Sequence, residues 1–96
     1  MLDLLFPKWC HGIAEGAMKD ALADALERSR LRRQLPDPAG RRLLRERVGL
    51  SQGDVARALN VATPTVCRWE RGTRDPGRQH LAAYLELLNR LTREPL

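Results

Sequence analysis

The 96-residue chain carries 17 Lys and Arg against 12 Asp and Glu, a formal net charge of +5, and 43% of its residues are hydrophobic. That length suits one small domain plus an extension, and the basic balance favours a polyanionic partner. Two cysteines cannot build a disulfide scaffold, and Cys10, Cys67, His11 and His80 do not fall into metal-ligand spacing, so no metal and no cofactor is expected.

No apolar run approaches the ~20 residues of a membrane span, and Asp3 interrupts an apolar opening that has no basic n-region. A reduced cytoplasmic protein without membrane association is the expectation. A Gly-rich phosphate loop is missing, as is any Ser, His and Asp set, so no catalytic residue is assigned and an enzyme is not expected.

In chain order, residues 1–11 form an apolar leader with Leu2, Leu4, Leu5, Phe6 and Trp9, broken by Pro7. Residues 12–34 read as an Ala-rich helix with Ile13, Ala17, Ala21, Leu22, Ala25 and Leu26 on one side. Pro36 and Pro38 then mark a linker between an extension, 1–34, and a second domain, 35–96. The second domain has eleven cations against seven anions, so the basic excess travels with it.

Within 35–96 the spacing predicts a helix over about 39–48 with Leu43, Leu44 and Val48 inward. A second short helix starts at Ser51 as N-cap, buries Val55, Ala56 and Leu59, and exits at Asn60, a residue that accepts left-handed angles cheaply. A third is announced by Thr63 as cap and Pro64 in the first turn, with Val66 and Trp69 inward. Turn formers fill 72–77, and a last helix over about 78–92 carries Leu81, Tyr84, Leu85, Leu88 and Leu91 as its inner stripe. No segment alternates long enough for a strand. The fold class is therefore all-α.

Two short helices joined by a tight turn, with small Ala56 letting them approach closely, make a helix-turn-helix. Residues 38–92 resemble the Cro/CI, or XRE, family in the run Gly49-Leu50-Ser51-Gln52, the pair Val55-Ala56, Leu59, Val61, Thr65-Val66, and Arg68-Trp69-Glu70-Arg71-Gly72. Asn60 stands where the family usually has Gly, and Ala62 where a hydroxyl residue usually caps the second helix. The resemblance implies a lambda-repressor-like bundle of four to five helices preceded by an additional N-terminal helix.

With Val66 and Trp69 facing the core, Thr63, Pro64, Cys67, Arg68 and Arg71 share the opposite face. By resemblance that face enters the major groove, with Thr63, Pro64, Cys67 and Arg68 toward the bases. Gln52 and Thr65 occupy phosphate-touching positions, and Arg71, Thr73 and Arg74 are read as further phosphate anchors. Arg68 has the chemistry for a bidentate contact to guanine, whereas Pro64 offers only apolar contact to a thymine methyl. Arg45 and Glu70 match a largely buried structural ion pair of the family.

The expected function is a transcriptional regulator, a repressor that binds a palindromic double-stranded operator as a homodimer. The alternative is an antitoxin. Helical extension, short linker and terminal DNA-binding domain also resemble the layout of helix-turn-helix antitoxins, in which case the extension would bind a toxin protein.

Overall fold

The structure, a computed structural model, describes residues 14–95. The apolar leader, with Phe6, Trp9, Cys10 and His11, and Ile13 lie outside the described residues. Five helices and no strand occur among those described: α1 (Ala14–Gln34), α2 (Pro38–Val48), α3 (Gln52–Leu59), α4 (Thr63–Arg71) and α5 (Leu81–Arg93). Contacts divide the chain into two units, one ending at Arg30 and one beginning at Leu31.

In the first unit α1 keeps its polar face together through pairs one turn apart, Arg28 to Asp24 at 2.7 Å and Arg30 to Glu27 at 3.4 Å. Its apolar side chains are bare. Met18, Leu22 and Leu26 are 40%, 57% and 45% exposed.

The second unit starts with the last turn of α1. Leu35 packs against the core, and Asp37 caps α2 by accepting the Gly40 N–H at 3.0 Å, with Pro38 in the first turn where no N–H is required. Pro36 and Pro38 therefore belong to the second unit.

Inside α2 the inward slots are Arg41, Leu44 and Val48, spaced three and four apart. Leu43, expected inward, stands one residue off that stripe and is 64% exposed. Arg41 tolerates burial because two main-chain carbonyls accept its N–H groups and a carboxylate stands nearby. Its Nε donates to the Pro36 carbonyl at 2.8 Å, its Nη1 to the Trp69 carbonyl at 2.9 Å, and Asp75 lies 3.6 Å away. Arg47 donates to the carbonyls of Leu91, Thr92 and Glu94, which ties α2 to the end of α5, where the Glu94 N–H also closes back onto the Leu91 carbonyl.

Val55, Ala56, Val66, Trp69, Tyr84, Leu88 and Leu91 form one buried cluster from α3, α4 and α5. The inner stripe of α5 is as expected, with Leu81, Tyr84, Leu85, Leu88 and Leu91 all buried. Its start differs. Residues 78–80 form a turn in which the N–H groups of His80 and Leu81 both reach the Gly77 carbonyl at 3.0 Å, so the helix begins at Leu81. The Trp69 ring lies 4.8 Å from that of Tyr84, centroid to centroid, and fastens α4 to α5.

Candidate nucleic-acid interface

The reading unit is built from α3, α4 and the turn between them. Ser51 accepts the Asp54 N–H at 3.0 Å while Asp54 accepts the Ser51 N–H at 2.8 Å, a reciprocal box that starts α3. Those donated hydrogen bonds hold the Asp54 carboxyl below its usual range, and Arg57 adds to the effect. At the other end Asn60 adopts φ 56, ψ 47, and the Val61 N–H closes back onto the Ala56 carbonyl at 2.9 Å. Asn fills the left-handed position that the family usually gives to Gly.

The start of α4 departs from the expectation. Ala62 is the N-cap and makes no side-chain bond, while Thr63 is already the first helical residue. Its hydroxyl is thus not spent on capping. It lies near the start of α3, where a Cβ added at Gly53 would stand 3.9 Å from Thr63 Oγ1. The N-termini of α3 and α4 therefore converge, and Gln52 and Thr63 belong to one neighbourhood.

Val66 and Trp69 are buried, and the opposite side of α4 is open: Thr63, Pro64, Arg68 and Arg71 are exposed, and Thr65 and Cys67 are half-buried. Arg74 is exposed just beyond the helix. Gly72 makes that exit possible. Its φ of 75 suits glycine, and an added Cβ would sit 2.9 Å from Pro38 Cγ.

Thr73, expected to hold phosphate, is exposed and donates its hydroxyl to the Arg68 carbonyl at 3.3 Å at the end of α4. Gln52 is also partly committed: its Nε2 donates to Glu70 Oε1 at 3.1 Å, which leaves one amide hydrogen for an outside acceptor.

Glu70 lies between three helices. Arg45 of α2 grips it in a fork, Nε to Oε2 at 2.7 Å and Nη2 to Oε1 at 2.9 Å, and the remaining Nη1 donates to the Leu50 carbonyl at 2.8 Å. The hydrogen bonds to Glu70 raise the Arg45 pKa above its usual value despite partial desolvation. Arg45 and Glu70 thus meet inside the domain and are not part of the open face.

This sorts the arginines. Arg41, Arg45 and Arg47 are consumed internally, and Arg42 and Arg57 pair with Glu46 and Asp54 at 2.6 Å. Among the described residues, Arg32, Arg68, Arg71, Arg74 and Arg93 are exposed cations without an acidic partner, and three of these, Arg68, Arg71 and Arg74, gather on α4 and just past its end. Sequence reasoning missed Arg42, which lines a surface concavity together with Gln52, Cys67 and Arg71, with the Arg45–Glu70 pair at its floor. Its position three residues before Arg45 on the same helix is the signal that could have found it.

A short helix, a left-handed turn and a second helix with a bare cationic face are the parts of a DNA-reading unit. The helix-turn-helix family model matches residues 42–95, more than half of the chain. The chain belongs to the XRE, or Cro/CI, family. It is an XRE-type DNA-binding regulator, and the double helix is the partner its family binds. No curated protein and no solved structure matches the chain. Of the described helices, none is long and apolar enough to cross a membrane.

Proposed function

We propose that this XRE-family protein is a repressor that reads a palindromic double-stranded operator as a homodimer, with one α4 in the major groove of each half-site. The observation that carries the reading is the sorting of its cations. Arginines needed for folding are paired internally, while Arg68 and Arg71 stand unpaired on the side of α4 turned away from the core and Arg74 stands unpaired just past its end.

On this reading Thr63, Pro64, Cys67 and Arg68 face base edges. Gln52, Thr65, Arg71 and Arg74 hold phosphates and fix the docking register without reading sequence. Half-sites set about one helical turn apart follow from two-fold symmetry. Selection of bound DNA from a random pool by the purified protein tests this directly. A two-fold symmetric consensus with that spacing is expected, and recovery of unrelated sequences would refute sequence-specific reading.

A further inference from the structure

We propose that α1 is the dimer interface and that it pairs antiparallel with α1 of a second copy. This rests on the dimeric reading above and assigns it a surface and an orientation.

The first observation is the bare face. Ala17, Met18, Ala21, Leu22, Ala25 and Leu26 recur at helical spacing, and every one of them is exposed. A cluster of this kind on a 96-residue protein is unusual unless something covers it. Small residues every four positions beside larger ones suit close approach of another helix.

The second observation selects the occupant and its direction. Charge is graded along α1: Glu15, Lys19, Asp20, Asp24 and Glu27, net acidic despite the one lysine, precede Arg28, Arg30, Arg32 and Arg33. Interaction with the helix dipole suits Arg32 and Arg33 in the last turn, but it does nothing for the exposed leucines. Parallel pairing would set the basic ends of the two helices side by side at an interaxial distance of about 8–10 Å, a repulsion that the pairs Arg28–Asp24 and Arg30–Glu27 within each helix offset only in part. Antiparallel pairing centred between Ala21 and Leu22 moves the two Arg30 residues about 25 Å apart at 1.5 Å per residue. That exceeds the screening length of about 8 Å at physiological salt, so the repulsion vanishes.

The test uses the full chain. Leu22→Glu with Leu26→Glu should raise the dimer dissociation constant at least about a hundredfold in sedimentation equilibrium, with helical circular dichroism retained. Orientation is read by oxidative cross-linking in a Cys10→Ser, Cys67→Ser background, which also decides the matter should the double variant unfold. Leu22→Cys, next to the two-fold axis, should cross-link, and Arg30→Cys should not. Three results would overturn the proposal: a wild-type chain that stays monomeric at high concentration, a double variant that stays dimeric, or cross-linking at Arg30→Cys equal to that at Leu22→Cys. A monomeric wild type would leave α1 to a different protein, such as a toxin. A dimeric double variant would move the interface elsewhere. Neither result touches the DNA reading, which stands or falls on the selected consensus.

Discussion

Arg68 and Arg74 are equally basic yet differently placed, and the difference is measurable. Arg68 projects from the open face of α4, whereas Arg74 lies past its end in the loop after Gly72. Arg68→Ala is expected to cost about 1–3 kcal/mol on the selected operator and to relax preference at one base pair per half-site. Arg74→Ala should weaken operator and random DNA alike. Competition binding with both DNAs checks this, and equal losses for Arg68→Ala on the two would remove it from base reading. Ala62 offers a second test. The Thr65 N–H already turns back to the Ala62 carbonyl at 3.0 Å, so a Ser hydroxyl at 62 has a donor within reach. Ala62→Ser should stabilise the domain by about 1 kcal/mol, seen as a higher melting temperature, and no change would mean that water already serves that helix end.

At the level of elements, Glu70 is the shared partner of α2, through Arg45, and of α3, through Gln52. Both side chains of the pair are mostly hidden, at 11% and 4% exposure. Glu70→Ala should leave a desolvated guanidinium and cost about 3–5 kcal/mol, while replacing both partners by apolar residues should recover much of that loss. Thermal melts of the two single variants and the double variant supply the comparison. Small additive shifts would contradict the pairing.

Helix boundaries were legible in sequence wherever a capping or turn residue sits at the break, as at Ser51, Asn60 and Gly72. They were less legible at Ala62 and His80, which make no side-chain cap. The inner stripe of α5 could be read from periodicity alone. The burial of Arg41 could not, because its stability depends on carbonyls of residues 36 and 69, far apart in sequence and brought together only by the fold. The bond from the Thr73 hydroxyl to the Arg68 carbonyl was likewise not legible, because it depends on where α4 ends.

For the whole molecule, Tyr84 reports on the integrity of the core. It is the only tyrosine in the chain and is almost completely buried. Burial, reinforced by the nearby Glu70 charge, pushes its pKa up to about 12 from 10.0. The folded state therefore holds the phenolic proton more tightly than the unfolded state does. This contribution is fully present below pH 10 and is lost as pH rises from 10 toward 12, at up to about 1.4 kcal/mol per pH unit. Ultraviolet titration should show no phenolate near pH 10 in the folded protein, and denaturant midpoints should fall steadily above it. Normal phenolate ionisation in the folded chain would place Tyr84 in contact with water.

The buried guanidinium of Arg41 bears on how such a sequence can drift over evolutionary time. Its closest acceptors, at 2.8 and 2.9 Å, are main-chain carbonyls, so this contact does not dictate which side chains stand at positions 36 and 69. Arg41 itself has no such latitude. Lysine brings a single nitrogen to a place where two differently directed N–H groups are needed at once, and it would leave a desolvated carbonyl unserved. Mutational tolerance around this contact is thus asymmetric, with a fixed donor and partners whose side chains the contact leaves free to vary.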